Sequence, residues 1–280
     1  MIFPASPVGP AAVADHYDDL DGFYRDIWGE HVHHGLWRSG RETSAVAVRQ
    51  LVEHLAGRIG LRPGDSVVDV GCGYGATARL LAREYGAAVT GLTLSAAQHA
   101  HAAAAEPGAA NPTYLLCDWL ENDLPAAAFD RGIAIESTEH MGDKARAFAE
   151  LFRVVRAGGT VGVCAWIARE RARRWEVRHL LEPICREGRL AGIGTESDYR
   201  ELLAGAGFAD VRSEDLTRAV RRSWGHGAVR LGRKLLRESR YRRYLFDARS
   251  RNRIFLASVL RIWAAYRLGS MRYLLFTAKR

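Results

Sequence analysis

Residues 67–95, reading VVDVGCGYGATARLLAREYGAAVTGLTLS, constrain the fold more than any other stretch of the chain. Val67, Val68 and Val70 form a short β-branched run suited to a buried strand. Gly71, Gly73 and Gly75 interrupt it, and residues 76–82 return to a helical pattern with Leu80 and Leu81. Glycines at such a turn let the backbone reverse sharply and approach a ligand, because no Cβ intervenes. The first turn of the following helix presents unpaired N–H groups, which suit an anionic or carboxylate-bearing ligand. A second strand over 87–92 completes a βαβ unit, with a nucleotide-type ligand expected at its crossover.

Glycine spacing alone leaves the ligand open, since Gly71-x-Gly73-x-x-Ala76 also satisfies the loose dinucleotide pattern of an NAD-dependent oxidoreductase. An NAD site calls for an acid about 20 residues on to hold the ribose. Here the second strand ends Gly91-Leu92-Thr93-Leu94-Ser95, with no carboxylate. Asp69, one residue before the turn, can orient the loop. DVGCGYG followed by VTGLTLS resembles the cofactor loop and second-strand end of class I S-adenosylmethionine-dependent methyltransferases. The GLTLS variant is similar to that of cyclopropane-fatty-acid synthases, tocopherol methyltransferases and their sterol and natural-product relatives. The resemblance implies an α/β fold, a Rossmann-like seven-stranded methyltransferase sheet with helices on both faces, and S-adenosylmethionine as cofactor. It places Asp69, Gly71, Gly73 and Thr93 at the cofactor. Because the cyclopropane synthase motif continues with a glutamine, it also places Gln98 at the ribose.

At 280 residues and 48% hydrophobic content the chain can bury a sizeable core, as one domain or one domain with an inserted lid. Cys72, Cys117, Cys164 and Cys185 show no CxxC pairing, so neither a disulfide framework nor a zinc site is expected, and a reducing cytoplasm fits. The N-terminal residues lack a basic region and an apolar core, which argues against a signal peptide. Arg261 and Arg267 break the most apolar C-terminal stretch, which argues against a membrane span.

Residues 1–12, rich in Pro and Ala, read as a loose arm. Residues 15–28 read as one helix with Tyr17, Leu20, Tyr24 and Ile27 along a face that packing alone could explain. The run HYDDLDGFYRDIWGEHVHHGLW resembles the N-terminal segment of tocopherol-type methyltransferases. That resemblance implies a cover folded over the cofactor, with His33 and His34 near it and Tyr17, Trp28 and Trp37 in a wall of the acceptor pocket. The H-x-H-H spacing matches no standard ligand pattern, so no metal is expected. Residues 43–59 form an amphipathic helix leading to the first strand.

Asp118-Trp119 follows the third strand (114–117), where ligands of open α/β sheets collect, so the pair suits the adenine amino group and ring. Past the fourth strand (133–135), Glu136, Glu139 and His140 put three titratable groups within five residues at the ligand-binding edge. The pattern is similar to E-S-x-E-H-M of the tocopherol enzymes, and it makes these residues the catalytic candidates, with Glu136 also facing the cofactor. The alternative is that Glu139 caps the next helix, 144–155, and His140 packs beneath the loop. Gly158-Gly159 is expected to end that helix and residues 160–166 to form the fifth strand.

A sixth strand begins at 208 and the last covers 272–278, so residues 219–269 form an insertion. The organisation expected is an arm and cover (1–42), the cofactor domain (43–218), a basic helical lid (219–269) and the final strand (270–280). Arginines crowd the lid, interleaved with aromatics. Trp224, Tyr244, Phe255 and Trp263 there, with Trp166 on the fifth strand, are further acceptor-pocket candidates. The basic character fits a solvated face, an acceptor bearing an anionic group, or transient contact with a membrane surface. Nucleic acid is not the expected partner, because neither an Asn/Asp-Pro-Pro-aromatic motif nor a Pro-Cys nucleophile is present. Homo-oligomerisation stays open.

The resemblance favours methylation of a lipophilic small molecule of specialised metabolism, at carbon of a prenyl or terpenoid acceptor. Aromatic faces would steady a carbocation and a carboxylate would take the departing proton. O- or N-methylation with His140 or a glutamate as base is the alternative. A non-catalytic binding module stands behind both.

Overall fold

The computed structural model describes residues 1–247 and 253–280, with the side chains of 245 and 253–257 outside the described set. Seven strands build one sheet: β1 (Ser66–Val70), β2 (Ala88–Thr93), β3 (Thr113–Leu116), β4 (Phe129–Ile135), β5 (Val155–Ala168), β6 (Ala209–Asp215) and β7 (Met271–Lys279), in the order β3-β2-β1-β4-β5-β7-β6. β3, β2, β1, β4 and β5 run parallel, and β7 is antiparallel to both β5 and β6. The strand order reverses at β1, where β2 lies on one side and β4 on the other. That switch point opens a crevice beyond the C-terminal ends of the strands.

Alternation along β1 divides the core. Val67 packs into one apolar cluster and Val68 and Val70 into another, on opposite faces of the sheet. On the first face lie α3 (Ser44–Arg58), through Leu51, Val52 and Leu55, and α4 (Ala76–Tyr85), through Leu80 and Leu81. On the second lie α6 (Lys144–Val154), through Phe148 and Leu151, and α9 (Glu196–Gly205), through Tyr199 and Leu203. Helix starts follow side-chain chemistry: Thr43, Asp143 and Thr195 each accept a backbone N–H of their own first turn. Likewise α5 (Ala96–Ala104) starts at Ser95, which caps Gln98 N.

The N-terminal cover departs from the expected single helix and loose arm. It is α1 (Pro10–Asp19) followed by α2 (Asp21–Ile27), broken at Leu20, which is buried. Tertiary contacts override the continuous pattern: Asp18 accepts the Ser95 hydroxyl and the Ala97 N–H at the start of α5, and Leu20 packs with Tyr24 and Tyr74. The arm is pinned as well, by an antiparallel bridge between Ile2 and Ile193. A second difference lies at residues 155–159. α6 passes into β5 at Val155, and Gly158-Gly159 sit in a bulge instead of ending the helix. A Cβ on Gly159 would stand 2.7 Å from the Asp130 carbonyl, so only glycine fits there.

Short helices α7 (Arg174–Glu176) and α8 (Glu182–Glu187), joined by a π-helical turn (Val177–Leu181), follow β5. Between β6 and β7 come α10 (Thr217–Val220), α11 (Arg222–Arg237), α12 (Ser239–Phe246) and α13 (Arg253–Leu268). Their inner faces, through Trp224, Leu231, Val259, Ile262 and Tyr266, join the same cluster as α3 and α4. Among the described residues no helix is long and apolar enough to cross a membrane.

Candidate active site

The glycine turn after β1 takes the conformation its residues allow: Gly71, Gly73 and Gly75 all have positive φ, at 80°, 55° and 74°. The turn floors a cavity of about 200 Å³ at the switch point. Its walls include Thr93, Gln98, Asp118 and Trp119 on one side, Glu136 and His140 on the other, and α1 through Val13 and Tyr17 as a roof. Thr93 donates to the Gln98 Oε1 at 2.9 Å, which fixes the amide and turns its Nε2 toward Gly73. Trp119 is anchored by its indole N–H on the Ala147 carbonyl at 3.0 Å while lining the cavity. Asp118 accepts the Leu120 N–H.

Asp69 lies beneath the turn, 2% exposed, and its Oδ2 has no hydrogen-bond partner. Burial pushes its carboxyl up to about 7. It lines a smaller space of about 40 Å³ with Gly71, Gly73, His31, His33 and Thr77. Burial of an unsatisfied carboxylate oxygen is costly, so a donor or cation from a ligand fits this position. S-adenosylmethionine fits the whole arrangement. Its ammonium would suit Asp69, its hydroxyls Gln98 and its base the Asp118–Trp119 end, and the open space above Gly73 would admit a close approach.

A second cavity of about 50 Å³ adjoins the first. Tyr17, Val32, Glu136 and His140 line both. The remaining walls are largely aromatic, with Tyr24, Trp28, Trp166 and Trp224, closed by His34, Glu139 and Ile262.

Glu136 stands where β4 ends, with φ at 55°. A non-glycine residue in that region is strained, and such strain concentrates at functional sites. Its Oε1 accepts the His34 N–H (2.7 Å), the Tyr273 hydroxyl (2.8 Å) and His34 Nδ1–H (2.9 Å). Its Oε2 accepts the Trp166 indole N–H at 2.7 Å. Burial alone would raise this carboxyl, but the electrostatic pull of the His34 ring and the hydrogen bonds outweigh it and hold the group down to about 2. His34 is in turn oriented by α11, because Trp224 donates its indole N–H to Nε2 at 2.6 Å.

Glu139 differs sharply. It is 1% exposed and accepts the Trp166 N–H at 2.5 Å, yet burial first and then the Glu136 charge push it up to about 7. Lys144, buried beside it, is pulled down by its own burial to about 8. His140 is lowered to about 4 by burial. Its Nδ1 faces the Arg189 carbonyl at 2.9 Å, so Nδ1 carries the proton and Nε2 accepts the Tyr17 hydroxyl, also at 2.9 Å. Burial, with the two glutamates, raises the Tyr17 phenol.

The expected residues are therefore only partly gathered. Asp69, Gly71, Gly73, Thr93, Gln98, Asp118, Trp119, Glu136 and His140 surround the glycine turn or the spaces beside it. His33 lines the smaller space with Asp69, Gly71 and Gly73, whereas His34 faces the second cavity and Glu136. Trp28, Trp166 and Trp224 join Tyr17 in that second cavity. Three other pocket candidates do not. Trp37 stacks on His226 at 4.2 Å, Tyr244 packs on Phe23, and Trp263 faces outward, 40% exposed, beneath Arg267. Phe255 lies outside the described side chains. Tyr273, on β7, was not legible as a site residue, since nothing in a strand pattern tells that its hydroxyl reaches a carboxylate 137 positions away. Among the described residues no group of three or more His, Cys, Asp or Glu is placed to hold a metal ion.

The profile of the mycolic acid cyclopropane synthetase family matches residues 9–209. The chain belongs to that family. With it comes the wider class I S-adenosylmethionine-dependent methyltransferase group. It is 34% identical over 231 residues to a probable tocopherol O-methyltransferase of Oryza sativa subsp. japonica, covering 76% of this chain and 63% of that relative, so it spans under two thirds of the rice protein. It is 34% identical over 166 residues to a 2-methyl-6-phytyl-1,4-hydroquinone methyltransferase of Synechocystis, covering 57% of this chain and 52% of the other. Among solved structures, the [4+2]-cyclase SpnF superposes with a TM-score of 0.82 at 26% identity, over 99% of this chain and 98% of its own.

Proposed function

We propose that this protein transfers the methyl group of S-adenosylmethionine to a carbon of a lipophilic, prenyl-like small molecule seated in the aromatic cavity. The observation carrying the reading is the shared wall: Glu136, Tyr17 and His140 border both the glycine-turn cavity and the aromatic one. When bound, the cofactor supplies an electrophilic methyl on a cationic sulfur. The chain's part is to hold acceptor and methyl in line. As the acceptor's π pair forms the new C–C bond, the methyl–sulfur bond would break with its electron pair left on sulfur as a neutral thioether, and positive charge appears on the neighbouring acceptor carbon. Trp28, Trp166, Trp224 and Tyr24 surround that position, and the Glu136 carboxylate, ionised across the working pH range, favours charge there. Glu139, with its carboxyl near neutrality, suits the last task of accepting the proton whose loss restores a double bond.

A second reading rests on the Tyr17–His140 hydrogen bond, which can pass a proton from an acceptor hydroxyl to His140 Nε2 and so supports O-methylation. Labelled S-adenosylmethionine incubated with prenylated quinols, terpenes, phenols and amines separates the two. Label at carbon supports the first reading and label at oxygen the second. Cofactor binding without transfer to any acceptor counts against both, an outcome to be measured because a neighbour sharing the fold is named a cyclase.

A further inference from the structure

We infer that the outward face of the lid is a docking surface for an anionic lipid bilayer. The charge is segregated. Residues 217–268 hold fourteen arginines and one lysine against Glu238 and Asp247, a net +13 in a chain whose total is +8, so everything outside the lid is net acidic. Exposed apolar side chains gather on the same elements: Val229, Leu236, Phe246, Leu260, Trp263 and Leu268 all belong to α11–α13. On α11 the helical spacing places Val229, Arg233 and Leu236 along the side opposite buried Trp224 and Leu231. On α13, Leu260, Arg267 and Leu268 turn away from buried Val259, Ile262 and Tyr266, and Trp263 stands at the edge of that outer face. The two helices pack on each other and turn their inner faces to the same cluster, so both outer faces point away from the core.

Much of this charge is uncommitted. Lys234 and Arg240 pair with Asp26 and Glu238, and Arg261 with Glu187. Arg233, Arg237 and Arg243 have no carboxylate partner among the described residues. An arrangement of cations around exposed leucine, phenylalanine and tryptophan, on helices too polar to insert, matches a segment lying in the headgroup region. Charge complementarity selects an anionic surface over a neutral one. The same helices carry Trp224 and Ile262 into the aromatic cavity on their inner side, so a lipophilic acceptor drawn from the bilayer would have one lid thickness to cross.

Flotation of the full chain with vesicles of phosphatidylcholine containing about 30% phosphatidylglycerol, against pure phosphatidylcholine, tests the inference. Binding should favour the anionic vesicles and weaken with salt. Replacing Arg233, Arg237 and Arg243 by Gln should lower partitioning about a hundredfold, at about 1 kcal/mol per charge. L236E with L260E should also release the protein. Both sets leave the cavities untouched, so S-adenosylhomocysteine affinity and melting temperature act as folding controls. Equal binding to neutral vesicles, or indifference to both sets, overturns the inference. So does a self-associated species in solution that L236E dissolves, because a second copy would then cover this face. Vesicle binding is read without turnover, so its failure leaves the methyl-transfer reading standing.

Discussion

Glu136→Gln isolates the negative charge in the shared wall while keeping the side chain's shape. The carboxylate accepts four hydrogen bonds, three at Oε1 and one at Oε2. A glutamine can keep its oxygen where His34 and Tyr273 converge, but its amide N–H₂ then meets the Trp166 indole N–H. One charge-assisted hydrogen bond, about 1.5–3 kcal/mol, is lost and a buried donor is left unpaired. A net destabilisation of about 3 kcal/mol follows, which for a chain of this size lowers the melting temperature by roughly 6–12 °C. The variant should remain folded at 25 °C. Turnover should fall about 10²–10³-fold, the loss typical of removing one electrostatic stabiliser from a dry site. S-Adenosylhomocysteine affinity by isothermal titration should change by less than about fivefold. Undiminished turnover would refute the charge argument, and an equal loss of affinity would move Glu136 to cofactor binding.

Acid stability supplies a linked check. Glu136 is held to about 2 in the folded chain, below its ordinary value, so its stabilisation is present above pH 4.5 and is lost as pH falls through 2, an effect of about 3 kcal/mol. Denaturant melts across that window should lose part of their acid limb in Glu136→Gln. Asp69 has the opposite sign: its raised carboxyl, about 7, is neutral below that value. Cofactor affinity should therefore rise with pH through 7, and Asp69→Asn should bind weakly and without that dependence. Gly73→Ala should fold with a penalty of about 1 kcal/mol, because its Cβ meets only Gln98 Nε2 at 3.9 Å, yet it should lose cofactor affinity as the cradle fills. Tyr17→Phe should leave carbon methylation within about tenfold but cut oxygen methylation by 10² or more, read as kcat on each acceptor class.

The sheet and the cofactor side of the site were legible because their signals are local. A β-branched run, a glycine turn and a capped helix lie within thirty residues of one another, and backbone geometry at Gly71 and Gly73 leaves few alternatives. The acceptor side was harder to read. Its walls come from α1, α2, β5 and the lid, and helical spacing reports only that a face is apolar. Trp224 and Trp263 both sit on lid helices, yet one donates to His34 and the other faces outward. Nothing short of the packing tells them apart. Glu136 and Glu139, three residues apart, both read as catalytic candidates, and the motif says nothing of their protonation. Their separation into an ionised and a near-neutral carboxyl comes from the burial of Glu139 and from His34, which the fold brings to Glu136 from 102 positions away.

Soaking crystals with S-adenosylhomocysteine probes the foundation of the account. Density should show the nucleoside over Gly71 and Gly73, its base toward Asp118 and Trp119, its amino group at Asp69, and its sulfur facing the aromatic cavity. An empty crevice, or a nicotinamide dinucleotide bound there in preference, would contradict it.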